Sequence, residues 1–258
     1  MSNSIDLVQL VRFLDLTSLD DDDSTADILA LCRRAQQPLP DHPGIRVAAV
    51  CTWARLAPEA VSALAGTGIS VAVAAGGFPE PLQDWAARVR EIEEAIAAGA
   101  NEIDAVIQKA AALAGNWQQV YEDVASIRNI CCNATLKMIL ATGELADSQI
   151  IEKAANVCLQ AGADFLKTST GREAVNATLP AGIVMARAIR EHYAETGRRA
   201  GIKPAGGIRT VERALEWVAL VRSELGEEWL SPEVFRIGAS SLLDDIERGL
   251  DVSHETSD

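Results

Sequence analysis

Residues 161–171, AGADFLKTSTG, run from a helix end through a strand into a glycine loop, and their reading decides the fold. Ala161-Gly162-Ala163 puts glycine where a helix closes in left-handed geometry. Residues 165–168 form a short β-type run, which leaves through the small and hydroxyl residues Ser169, Thr170 and Gly171. The helix end is echoed at Ala98-Gly99-Ala100-Asn101. Working outward, similar runs occur at residues 13–16, 45–50, 69–74, 102–107, 135–140, 165–168, 201–204 and 235–238, separated by segments of helical periodicity. In DWAARVREIEEAIAAG, Trp85, Val89, Ile92 and Ile96 predict the apolar stripe of a helix that covers a sheet. Repeated βα units predict an α/β fold, a (β/α)8 TIM barrel, with an open doubly wound sheet as the alternative. No Pro/Ser-rich linker divides the chain, so residues 1–258 read as one domain with a flexible polar tail at 251–258.

Composition narrows the chemistry. The 258 residues are 48% hydrophobic, enough for a sizeable core. A formal charge of −14 argues against nucleic acid or an anionic membrane as partner, because both require a basic surface. No basic segment followed by an apolar run opens the sequence, so a cytoplasmic location is expected. Five cysteines (Cys32, Cys51, Cys131, Cys132 and Cys158) match no disulfide framework or metal spacing and read as reduced thiols. The three histidines, His42, His192 and His254, lie in polar contexts, which leaves a zinc site or a Ser-His-Asp triad poorly supplied.

The lysines carry more information. Of 23 basic residues 18 are Arg and five are Lys, so each Lys calls for a reason. Lys109 and Lys153 read as solvated charges. Lys137, Lys167 and Lys203 sit within or at the end of the fifth, sixth and seventh strand runs, which a barrel sets side by side. Burial and like charge both disfavour an ammonium ion. A lysine nucleophile exploits that, since it must shed a proton from a reference pKa of about 10.4. Asp104 and Asp15, on the fourth and first runs, offer carboxylates to hold a cation or relay a proton. Buried ion pairing is the alternative, although two aspartates do not readily satisfy three ammonium groups. Asp20 to Asp23 read as a solvated loop, lacking the ligand pattern of a calcium site.

Three loops then suggest an anion site. Thr168-Ser169-Thr170-Gly171-Arg172, Ala205-Gly206-Gly207 and Gly238-Ala239-Ser240-Ser241 follow the last three strand runs, and each opens toward a helix. Glycines admit an anion close to backbone amides, and hydroxyls add donors.

Taken together, NEIDAVI, LKMILATGEL, LKTSTG, GIKPAGGIR and RIGASSLL resemble the deoxyribose-phosphate aldolases, the class I aldolases of the DeoC family, over residues 13–248. The resemblance implies a β/α barrel that reversibly cleaves 2-deoxy-D-ribose 5-phosphate to acetaldehyde and D-glyceraldehyde 3-phosphate in deoxyribose catabolism, with no metal or other cofactor. It implies that Lys167 forms the Schiff base, that Asp104 and Lys203 donate and accept protons, and that Lys137 and Asp15 support them. Thr170, Gly171, Arg172, Gly206, Gly207, Gly238, Ser240 and Ser241 would hold the phosphate, with Cys51 and Thr168 in the substrate pocket. Expected partners are the small phosphosugar and acetaldehyde, with a homodimer as the assembly. Arg172 stands where Lys is frequent in the family, which keeps the charge. Ala141 stands where many bacterial relatives carry Glu, as in the animal-type branch. Another Schiff-base aldolase or transaldolase, or a catalytically silent phosphosugar-binding barrel, are the competing readings.

Overall fold

Short strands rich in aliphatic residues pair only with neighbours that return in register, and a parallel return needs a crossover of a dozen residues or more. The computed structural model of the chain describes residues 6–255, and side chains for residues 6–251. Within them lie β1 (Leu14–Thr17), β2 (Ala49–Trp53), β3 (Ser70–Ala74), β4 (Glu102–Val106), β5 (Thr135–Ile139), β6 (Phe165–Lys167), β7 (Gly201–Lys203) and β8 (Ile237–Ala239). They form one parallel sheet in the order β7-β6-β5-β4-β3-β2-β1-β8. Parallel bridges between Ile202 and Phe235 and between Ala205 and Gly238 join its two ends. The sheet thus closes as the expected TIM barrel, and the open-sheet alternative fails because the end strands meet.

Several boundaries move. The second strand begins at Ala49 rather than residue 45, where its ladder with β1 starts at the Asp15–Ala49 pair. It continues to Trp53, where β3 still supplies a partner in Ala74. The helix Leu242–Glu255 extends through most of the expected tail, whose last residues, 256–258, lie outside the described residues.

Helices pack around the sheet, and several start at side-chain caps. Ser24 and Asp27 form a capping box, and Thr178 and Thr210 accept from the amides of Ala181 and Arg213. In the helix Trp85–Ala97 the buried face is Arg88, Ile92 and Ala95 rather than the stripe expected to begin at Trp85, which is 41% exposed. Arg88 takes that place because its charge is paired there. It lies 2.7 Å from Asp123 Oδ1 and donates to the carbonyl of Val106 at 2.5 Å.

At the base of the barrel the Phe235 ring, fully buried, lies 5.1 Å from that of Phe13 beside the β7–β8 closure. Phe235→Ala is expected to cost about 3–5 kcal/mol. The check is urea unfolding, with a lower midpoint at unchanged slope; an unaltered midpoint would show that the seam does not need this ring.

Candidate active site

Alternate residues of a barrel strand face the interior, and the register decides which ones meet. Lys167 on β6 pairs with Lys203 on β7, Asp104 on β4 pairs with Lys137 on β5, and Asp15 on β1 pairs with Gly238 on β8. Their side chains converge in two layers. In the lower layer Lys137 Nζ lies 2.9 Å from Asp15 Oδ2 and contacts Glu102, while Arg236 reaches Asp15 Oδ1 at 2.7 Å and Glu102 Oε1 at 2.9 Å. In the upper layer Asp104 Oδ2 lies 2.7 Å from both Lys167 Nζ and Lys203 Nζ. Lys203 also reaches down to Asp15 Oδ2 at 2.5 Å. Lys137 approaches Asp104 Oδ1 at 3.2 Å, an ion contact without hydrogen-bond geometry.

Glu102 and Arg236 change the charge balance expected from the sequence. Three carboxylates face four cations, so the carboxylates alone cannot neutralise every amine. The excess falls on Lys167, which reaches only one carboxylate oxygen and shares it with Lys203. Burial pushes Lys167 below the usual lysine range, and the neighbouring Lys203 ammonium adds to this against the pull of Asp104. Burial acts in the same sense on Lys203 and Lys137. There the carboxylates outweigh it, Asp104 and Asp15 for Lys203 with Glu102 added for Lys137, and both amines are pushed up. Burial alone would raise Asp104 and Asp15, but the surrounding cations hold both carboxyls below the usual range. The cluster therefore presents one weakly basic amine, a fixed ammonium and a fixed carboxylate within hydrogen-bond reach of one another.

Lys167 forms the floor of a cleft of about 740 Å³ at the C-terminal end of the strands. Thr170, Gly171, Arg172, Gly206, Gly207, Gly238 and Ser240 line it as expected, joined by Arg209 and by Asp20, Asp21 and Asp22. Gly206 and Gly207, with φ of +86° and +81°, adopt a backbone that favours glycine and turns their amides in a tight loop. Gly238 has a second role, because a Cβ there would lie 3.1 Å from Lys203 Cε.

Thr168 and Cys51 are fully buried beneath the cleft rather than on its lining, with Cys51 within electrostatic reach of Lys203, Asp104 and Lys167. The Thr168 hydroxyl accepts from Ala205 N at 3.0 Å, and Ser169 donates to Ala205 O at 2.7 Å, so both pin the end of β6 to β7. Burial pushes the Cys51 thiol up. Ser241 lies beyond the lining residues, at the start of the last helix. Asp20 to Asp22 are exposed, as expected of a solvated loop, and they also form a wall of the cleft. Lys109 is 8% exposed and ion-paired to Glu80 at 2.6 Å and Glu144 at 2.8 Å, tying the loops after β3 and β5 together. Phe78, not anticipated, places its ring 5.6 Å from Lys167 Nζ and edge-on to Trp53. Glu102 and Arg236 were readable as site residues, since each stands two positions from a singled-out neighbour on the same strand face, Asp104 and Gly238.

Comparison with known proteins follows this geometry. A sequence description of DeoC/LacD family aldolases matches residues 11–248. The mouse deoxyribose-phosphate aldolase is 47% identical over 253 residues, covering 94% of this chain and 80% of the relative. A solved apo structure from Toxoplasma gondii ME49 superposes with a TM-score of 0.84 at 25% identity, covering 95% of this chain and 96% of that one. The deoxyribose phosphate aldolase of Aeropyrum pernix, described as tetrameric, shares the fold at a TM-score of 0.75 and 22% identity, over 95% of this chain and 92% of that one.

The amine cluster makes a pH prediction. Because Lys167 is lowered, its reductive trapping by a small aldehyde should set in below the pH of an ordinary lysine. In Lys203→Met the adjacent ammonium is gone, so the onset should move to higher pH. Trapped mass at Lys167 measured against pH checks this, and an onset that stays or moves down contradicts the assigned role of Lys203.

Proposed function

The chain belongs to the DeoC/LacD family of aldolases, and on that premise we propose that Lys167 is the amine through which it cleaves 2-deoxy-D-ribose 5-phosphate to acetaldehyde and D-glyceraldehyde 3-phosphate. The single observation that carries the assignment is Asp104 Oδ2, held 2.7 Å from Lys167 Nζ and 2.7 Å from Lys203 Nζ. Neutral Lys167 attacks the C1 carbonyl of the open-chain sugar. The carbinolamine loses water to become a protonated imine, with Lys203 supplying a proton and Asp104 passing protons between the two amines. The imine is the electron sink, so this scheme requires no metal. The C3 hydroxyl gives up its proton, the bond between C2 and C3 breaks, and its electron pair forms the enamine as D-glyceraldehyde 3-phosphate departs. Protonation at C2 and addition of water then release acetaldehyde and restore the amine. Lys137 and Asp15, with Glu102 and Arg236, hold Asp104 and Lys203 in place without touching the reacting carbon.

The phosphate lies in the cleft above, between the loops of Thr170 to Arg172, Gly206 to Gly207 and Ser240. Backbone amides and Arg172 and Arg209 supply the positive potential that a chain of net charge −14 otherwise lacks. Residues 1–258 act as one barrel domain in this reading. Its setting is the cytoplasm, supported by five unpaired cysteines. Among the described residues no helix is long and apolar enough to cross a membrane. Self-association as a homodimer is part of the reading.

Lys167→Ala is expected to lower kcat by about a thousandfold or more, as removal of a covalent nucleophile does. Borohydride with acetaldehyde should add an ethyl group at Lys167 in the wild type. Near-normal turnover of the variant, or trapped mass on another lysine, would assign the chemistry elsewhere.

A further inference from the structure

The segments that lead into β1, β2, β3 and β8 enclose a second cavity, at the opposite end of the barrel from the catalytic cleft. It measures about 420 Å³, and three arginines, Arg12, Arg46 and Arg236, line it against one carboxylate, Glu233. In a chain with 37 acidic and 23 basic residues this local excess is opposite in sign to the whole. Arg236 is 7% exposed, and Asp15, Glu102 and the carbonyl of Pro232 fix its guanidinium. Arg46 donates to the carbonyl of Thr67, which ties its head to the segment before β3. Among the described residues Arg12 and Arg46 have no ion-pair partner, and Glu233 has none either. Backbone donors join them. The lining amides of Gly44, Arg46, Val47 and Gly68 donate to no protein acceptor among the described residues.

We propose that this cavity is a second anion site, and that it takes a phosphate monoester whose organic part is uncharged. Guanidinium groups bind phosphate oxygens in pairs, and bare amides complete the coordination of such an anion. Two free guanidiniums outweigh the single exposed Glu233, so a dianion entering here gains more than it loses. The neighbouring surface selects for the rest of the ligand. A hollow of about 360 Å³ adjoins the cavity, shares Gly68 and Ser70 with it, and is lined by Val61, Leu64, Ile69 and Val71 with no charged residue. An ester that spans both places its charge among the arginines and its body on apolar surface, where each buried carbon adds to affinity. Free phosphate fills the first part alone. None of these residues lies in the catalytic cleft, so the proposal stands apart from the phosphate reading of that cleft.

The test combines Arg12→Gln with Arg46→Gln, two exposed residues outside the strands. The double variant removes both free cations, and its kcat/KM for aldol cleavage is expected to be unchanged, which shows that it folds. Phenyl phosphate titrated into the wild type by calorimetry should bind as two equivalents, one in the catalytic cleft and one here. In the double variant the second should weaken about tenfold or more, the effect of losing charge-assisted hydrogen bonds. Inorganic phosphate should occupy the same site in the wild type with lower affinity than phenyl phosphate. A double variant that binds phenyl phosphate as the wild type does overturns the proposal. Equal affinity for the two probes overturns the monoester assignment and makes this a site for free phosphate. Failure of the cleft reading looks different: the wild type would bind one equivalent, and the double variant would lose it.

Discussion

The shared contact of Lys167 and Lys203 on Asp104 Oδ2, 2.7 Å from each amine, is the constraint around which the interior is arranged. Below it, Lys137 and Arg236 meet Asp15 and Glu102 as two cations and two anions, a set that can be fully ionised without net charge. Above it, one carboxylate faces two amines. A buried site of low polarity does not tolerate the surplus charge, and the amine with fewer carboxylate contacts is the one that gives up its proton. Reactivity at Lys167 thus follows from a count of charges in two layers, and no unusual group is needed.

That count holds only while the side chains stay in place, and much of the barrel serves this end. The β6–β7 register sets the two amines opposite each other, and Thr168 and Ser169 lock the strand ends through Ala205. Gly238 leaves space for the Lys203 stem, and Gly201 leaves space for the Phe165 ring. Arg236 lies over that ring, 5.8 Å from its centroid, while its guanidinium balances Asp15 and Glu102. Buried ion pairs contribute little to stability when intact, yet losing one partner is costly, about 3–5 kcal/mol. The lower layer therefore makes the position of Asp104 expensive to disturb, and a catalytic group benefits from that rigidity.

The fold was legible because its signal repeats. The strand runs and the two Ala-Gly-Ala helix ends are local patterns, and the lysines on consecutive strands were neighbours as soon as a barrel was assumed. Pairing between residues far apart in sequence was less legible. Arg236 meets Glu102 across 134 positions, and nothing local to either residue announces the other. The charge surplus was expected from Lys-against-Asp counting, but the true balance includes Glu102 and Arg236, whose strand positions were readable while their pairing was not. Arg88 was lost for a similar reason. A stripe built from apolar letters passes over a buried arginine whose partner, Asp123, sits on another helix. Lys109 looked solvated because both its carboxylates come from loops remote in sequence. Local periodicity reports which residues face inward, whereas the identity of buried polar partners is decided by closure of the barrel.

The cleft's electrostatics follow from the same distinction. A chain with 37 acidic and 23 basic residues repels a phosphorylated sugar at long range, and Asp20, Asp21 and Asp22 bring that repulsion to the rim. Attraction therefore has to be short-ranged, supplied by amides and guanidinium groups that act within hydrogen-bond distance. Short-range donors in a negative field are prone to capture by the protein's own carboxylates, as Arg172 is by Asp21. Asp21 is largely exposed, and an exposed pair of this kind is worth little, so it orients the guanidinium at the cleft without withdrawing it from an incoming anion.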